Sequence, residues 1–240
     1  EALDGALADA RAAGVFAVEV KGTDEDPMRA EPVGVALCHQ AGRACYIPFG
    51  HTEAARTPPP KEGELFAEAP VACLPAEQVL AGLKPLLEDP AVGKLGHDLK
   101  YSWILLARNG VRMRGIRMDT MVASYLTDAS RVRHNLSEVS LQYLKRKMTP
   151  VTEPVGKGSK AVTFAQVPLD RACVYACEAA DGVWRLAETF QPLLRERGVE
   201  TLFAEMERPL IEVLARMEMA GVAIDPALFV ALNREVTTRL

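Results

Sequence analysis

The chain has 240 residues, 25% of them charged and 49% hydrophobic, with a formal net charge of −4 and five cysteines. That balance belongs to an ordinary folded protein and excludes a disordered acidic tail, a collagen-like chain and a disulfide-dense mini-protein. It also argues against a nucleic-acid binder driven by bulk positive charge, so any DNA contact must come from a local patch. Apolar runs such as Trp103 to Ala107 are far shorter than the roughly 18–20 residues of a membrane span. The chain starts at Glu1 with neither Met nor a basic-then-apolar leader and reads as an excised piece. The odd set Cys38, Cys45, Cys73, Cys173 and Cys177 lacks a CxxC pair and fits reduced cytosolic thiols. Cys173 and Cys177 are one helical turn apart, but His39, His51, His97 and His134 give no finger spacing, so structural zinc is not expected.

In chain order, β-branched and aromatic residues predict strands at Val15–Val20, Pro32–Cys38 and Ala44–Pro48, the last two joined by a turn at Ala41-Gly42. A Pro-rich loop, Thr57 to Gly63, leads to a helix that opens at Pro75 and runs to Leu87. A short strand follows at Val92–Leu95. Asp98 is the expected N-cap of a helix reaching Asn109, ended by Gly110. After a strand at Ile116–Met118, Asp119 caps a helix from Thr120 to Leu126, and another covers Asn135–Lys145. Pro150–Lys160 reads as a loop. Long helices are predicted over Leu169–Arg195 and Val199–Met219, then a strand at Val222–Ile224 and a last helix from Pro226. Strands early, helices later and alternation between them give an α/β (α+β) class.

Five stretches resemble the proofreading (3′–5′ exonuclease) domain of bacterial DNA polymerase I. They are Val15-Phe16-Ala17-Val18 with Val33-Gly34-Val35-Ala36 and Tyr46-Ile47-Pro48; Leu83 to Asp89 leading to Lys94-Leu95-Gly96-His97-Asp98-Leu99-Lys100-Tyr101; Met118-Asp119-Thr120-Met121 with Ser124-Tyr125-Leu126; Gly156-Lys157-Gly158 with Thr163-Phe164; and Tyr175-Ala176-Cys177-Glu178. The tail, Glu207-Arg208-Pro209-Leu210 through Met217 to Pro226, resembles the entry into a polymerase domain. The resemblance implies a ribonuclease-H-like fold with a mixed five-stranded sheet flanked by helices. It divides the chain into an exonuclease-like domain over 1–205 and the truncated start of a polymerase domain over 206–240. It further implies a cytoplasmic, nucleoid-associated bacterial protein, monomeric and free of membrane. Its parent would be a DNA-directed DNA polymerase (a nucleotidyltransferase) of replication and repair, with DNA and the polymerase domain in cis as partners.

The family hydrolyses the terminal phosphodiester with two Mg²⁺ or Mn²⁺ ions, which need hard oxygen ligands. Its four acids fall here on Glu19, Lys21, Ser102 and Ala179, while its tyrosine is kept as Tyr175. One carboxylate of four remains. A lysine within about 4 Å of a dication repels it by several kcal/mol even at an effective dielectric near 20. Lys21 is instead expected to pair with Glu19 in the place of a metal. The resemblance therefore predicts remnant positions Glu19, Lys21, Ser102, Tyr175 and Ala179 without catalysis, no cofactor in this domain, and a scaffold or vestigial DNA-binding role. One alternative is an active nuclease with relocated ligands drawn from Glu19, Asp98, Glu178 and Asp181. Another is a pure docking module. No DNA-contacting residue is assigned, but Glu25 stands where the family has an apolar wedge, and Asp24-Glu25-Asp26 makes that edge acidic.

The bland readings are a helix cap for Asp98 and for Asp119, solvated or paired roles for Glu178 and Asp181, half-buried packing for Tyr175, and core filling beside the old site for Trp103 and Trp184. Gly156-Lys157-Gly158 is too short for a phosphate fingerprint.

Overall fold

The computed structural model describes residues 2–58, 69–156, 158 and 161–239. Five strands form one sheet: β1 (Val15–Gly22), β2 (Pro32–Gln40), β3 (Arg43–Pro48), β4 (Gly93–Gly96) and β5 (Ile116–Asp119), in the order β3-β2-β1-β4-β5. The β1/β2 and β2/β3 pairs are antiparallel, and β1/β4 and β4/β5 are parallel. This is the mixed five-stranded sheet that the family resemblance implies.

The period-two alternation of β1 sorts its side chains. Phe16, Val18 and Val20 face one core, shared with helices α1 (Ala2–Ala13), α3 (Ala76–Leu87) and α4 (Leu99–Arg108), whose Leu83, Leu86, Leu87, Ile104 and Leu105 are buried there. Ala17, with Ala36 of β2, faces the other core. There it meets Ala176, Ala180, Val183 and Phe190 of the long helix α8 (Leu169–Glu196). Small residues on both surfaces let α8 lie close to the sheet. Each fully buried large apolar side chain contributes about 1.5–3 kcal/mol.

Four shorter helices sit among these: α2 (Glu53–Arg56), α5 (Thr120–Thr127), α6 (Leu136–Leu144) and α7 (Thr152–Val155). The predicted helix over Val199–Met219 is a composite of α9 (Glu200–Leu202), a π-turn at Phe203–Glu207 and α10 (Arg208–Ala220), which buries Ile211 and Ala215 against the α4 side. A final helix, α11 (Pro226–Arg239), buries no side chain.

Three sequence expectations need correction. The N-terminal helix α1 was not anticipated. The stretch Val222–Ile224 is not a strand: Val222 and Ile224 are 91% and 67% exposed, and among the described residues no strand pairs with them. The Pro150–Lys160 loop contains α7; of that loop Lys157, Ser159 and Lys160 lie outside the described residues, as do residues 59–63 of the Pro-rich loop.

Candidate functional site

Glu19 and Lys21 follow Ala17 on the α8-facing side of β1, and Asp98, Tyr101 and Ser102 lie where β4 gives way to α4. Both segments are at the carboxyl ends of parallel strands, the usual place for a ligand crevice in such sheets. Between them opens a cleft of about 500 Å³, lined also by Thr23, Asp24, Glu25, His97, Val151, Val155, Phe164 and Tyr175. The structure thus brings Glu19, Lys21, Asp98, Ser102 and Tyr175 to one cleft.

At its base, Lys21 Nζ donates to Glu19 Oε2 at 2.9 Å, with side chains only 14% and 11% exposed. The same ammonium lies 5.1 Å from the centroid of the Tyr175 ring, within reach of a cation–π interaction. Burial works against the Lys21 charge, but the Glu19 carboxylate and the neighbouring Tyr175 and Tyr101 outweigh it and hold its pKa above the ordinary lysine value. Tyr175 also packs on Phe164, which continues through His51 to Tyr46.

Ala179 is 2% exposed on α8 and offers no polar atom beyond its backbone. Ser102 is buried on α4 and brings only a neutral hydroxyl. The Glu178 Oε2 atom accepts the Thr149 N–H at 2.9 Å. Asp181 accepts from Gly42 N at 2.6 Å, Arg146 Nη1 at 2.6 Å and Arg185 Nε at 2.9 Å. Neither acid lines the cleft, and Asp181 ties the β2–β3 turn and the segment after α6 to α8. Burial pushes its pKa up, but the two arginines and the Gly42 amide bring it below the usual carboxylate value.

Asp98 differs from expectation. It occupies the N-cap position of α4 but in a left-handed conformation and without a side-chain cap bond. The capping oxygens come from Asp119, whose Oδ2 accepts Leu99 N at 2.7 Å and whose Oδ1 accepts Met121 N at 2.9 Å in α5. One carboxylate therefore caps two helices. Its burial raises its pKa to about 6 against the pull of those N–H donors. The Asp98 carboxyl is left facing the cleft, its pKa raised first by burial and also by Glu218.

Two residues to which the sequence reading gives no role in the site shape the same cleft. His97 is half-buried in its wall, its Nδ1 2.9 Å from Thr120 Oγ1, and burial together with the Lys21 charge pushes its pKa down to about 3, so the imidazole is neutral. Tyr101 lies across Gly22, where a Cβ would collide with its hydroxyl, and that hydroxyl donates to the Asp24 carbonyl at 2.8 Å. The cleft carries four carboxylates (Glu19, Asp24, Glu25, Asp98) against one ammonium.

A two-ion centre needs several carboxylate oxygens converging within a few ångströms. Here Glu19 is already bonded to Lys21, and among the described residues no group of three or more His, Cys, Asp or Glu side chains converges in that way. The donor set does not fit a pair of hard dications. Of the tryptophans, Trp103 is a core residue donating to the Met113 carbonyl at 3.1 Å, whereas Trp184 is half-buried well away from Lys21, lining a different cleft.

Comparison with known proteins gives a consistent family. A family model described as DNA polymerase I, ribonuclease H-like domain, matches residues 63–180. DNA polymerase I of Rhizobium leguminosarum is 35% identical over 98% of this chain, and that of Pseudomonas aeruginosa is 32% identical over 94%. The chain spans only 23% and 24% of their lengths. Among solved structures, the POL domain of Pol1 from M. smegmatis, in complex with DNA primer-template and dNTP, has a TM-score of 0.73 at 23% identity, covering 98% of this chain and 34% of that one. Brucella melitensis NrnC with bound Mg²⁺ has a TM-score of 0.62 at 19% identity, covering 87% of this chain and 86% of that one. At such identities these two likenesses speak for the fold alone. No helix among the described residues is long and apolar enough to cross a membrane. By fold, motif order and relatives, the chain belongs to the family of ribonuclease H-like 3′–5′ exonuclease domains of DNA polymerase I.

Proposed function

We propose that this domain does not hydrolyse phosphodiesters and serves as a scaffold within a longer DNA polymerase I-type enzyme of replication and repair in the bacterial cytoplasm. The observation that carries this reading is the 2.9 Å ion pair of Lys21 with Glu19. Glu19 is the one remaining acid of the family's four, and its charge is already neutralised from within the chain. A dication entering beside Lys21 would have to displace the ammonium or accept its repulsion, a cost of several kcal/mol. Ser102 and Ala179 supply no carboxylate to offset that cost. We further propose that the domain uses no metal or other cofactor. Residues 1–205 then form the exonuclease-like unit, and residues from 206 lead into the polymerase domain, which would bring the contact with DNA. The excess of carboxylates around the cleft also disfavours a single-stranded DNA end, which carries the same sign of charge.

The test is digestion of 5′-labelled single-stranded DNA in Mg²⁺ and then Mn²⁺. No release of terminal nucleotides is expected in either. Metal-dependent shortening of the strand that disappears in Glu19→Ala would overturn the reading.

One observation favours a second reading, an active nuclease with a relocated ligand: the Asp98 carboxyl shares the cleft with Glu19. In a crystal soaked with Mn²⁺, density bridging Glu19 and Asp98 would support it. Lys21 still bonded to Glu19 would remove it.

A further inference from the structure

A second cleft, of about 670 Å³, lies at the opposite end of β1, beside Gly14 and Val15. Its size is that of a small-molecule site. Leu95, Met118 and Phe203 give it an apolar floor, and the half-buried indole of Trp184 forms one wall. Two arginines complete it. Arg117 comes from β5, its stem laid against Gly93, where even a Cβ would clash with it. Among the described residues its guanidinium has no carboxylate partner. Arg208 starts α10. The π-turn at Phe203–Glu207 shifts the backbone ladder, and Arg208 Nη2 donates to the Ala204 carbonyl at 3.2 Å, so the guanidinium is held at the rim with most of its donors unspent. Single π-turns inside helices recur at functional sites.

Of the two acids that line the cleft, Glu200 is paired with Arg195 at 2.8 Å, whereas Glu188 accepts only from the neutral Trp184 Nε1 at 3.1 Å and offsets part of the arginines' charge, leaving the cleft net positive. An indole face, an apolar floor and two guanidinium forks call for a planar ring bearing an anionic group, since arginine recognises phosphate through paired N–H donors. We infer that this cleft is a binding site for a nucleoside monophosphate, with the base against Trp184 and the phosphate between Arg117 and Arg208. It shares no residue with the Lys21–Glu19 cleft, so it is independent of whether that cleft is silent.

The chain's two tryptophans supply the readout. Trp103 is 5% exposed in the core, so a change in emission on adding dAMP reports Trp184, and Trp184→Phe should abolish it. Saturable quenching by dAMP is expected at low salt, with Arg117→Ala and Arg208→Ala each raising the half-saturating concentration about tenfold. Glu188→Gln removes a facing carboxylate and should tighten binding about threefold, a gain that misfolding cannot imitate. Deoxyadenosine and inorganic phosphate, each carrying half of the recognised chemistry, should bind more weakly than dAMP. The inference is overturned by an unsaturable response up to millimolar dAMP, by equal affinity for deoxyadenosine, or by indifference to both arginine substitutions.

Discussion

Lys21 and Glu19, two residues apart on one strand and therefore on one face of the sheet, form a nearly buried ion pair under the ring of Tyr175. Removing one partner of such a pair leaves an uncompensated charge, whereas removing both leaves only a packing change. Glu19→Gln should cost about 2 kcal/mol in urea unfolding, and the double variant Glu19→Gln/Lys21→Met should cost less than Glu19→Gln alone. Because the pairing holds the Lys21 pKa above its unfolded value, its stabilisation is complete below the ordinary lysine range. It fades only as pH rises through the folded value.

His97 makes the opposite prediction. Its pKa of about 3 in the folded protein lies below the 6.5 of a free imidazole, so between those values the unfolded chain binds one proton more than the native state. Stability should therefore fall on acidification from pH 6.5 towards 3, with His97 contributing a slope of up to about 1.4 kcal/mol per pH unit. In His97→Gln the slope of unfolding free energy against pH should become shallower over that range. An unchanged slope would mean that His97 is not the neutral group described here.

Asp119 joins two helix starts, and its loss should be felt in both. Asp119→Ala is expected to cost about 2–4 kcal/mol, the sum of two caps near 1 kcal/mol each and the penalty for buried N–H groups left without acceptors. Hydrogen exchange should show the Leu99 and Met121 amides losing protection together. Loss at Met121 alone would show that the α4 cap is not carried by this carboxylate.

Asp181 is an anchor rather than a ligand. Asp181→Asn should lower stability by about 2 kcal/mol, since one buried carboxylate serves two guanidinium groups and an amide. Its lowered pKa places that contribution above the ordinary carboxylate range, and it is lost as pH falls through the folded value. Faster exchange of the Gly42 amide, on an element far away in sequence, is the local signature.

The strands were legible because Val15–Val20 and Pro32–Cys38 are rich in β-branched residues, and because a one-residue spacer puts Glu19 and Lys21 on a common face whatever surrounds them. The Lys21–Glu19 pair was readable for the same reason. The cap on α4 was not. Asp98 has the right residue type at the right position, yet the capping oxygen on Leu99 N arrives from Asp119, twenty positions after Leu99, a contact no local pattern encodes. Helix α1 was missed because its alanine-rich run, with Leu3 and Leu7 as its larger apolar residues, is a narrow stripe that becomes meaningful only against Gly82 of α3. Val222-Ala223-Ile224 alternates like a strand but, among the described residues, has no neighbour with which to form a ladder. Trp184 reads from the sequence as a core filler beside the Glu19–Lys21 position, but it is half-buried in another cleft, because its place depends on where α8 crosses the sheet.

A carboxylate balanced by a free cation answers to the concentration of that cation, and a chelator can strip it. Lys21 is bonded to the same polypeptide as Glu19, so its counter-charge has a fixed stoichiometry of one and no dissociation constant. If the proposed reading holds, the fold around β1 and α8 is thereby uncoupled from the ionic supply of the cell. Only alkali, or a change to the chain itself, can take that charge away.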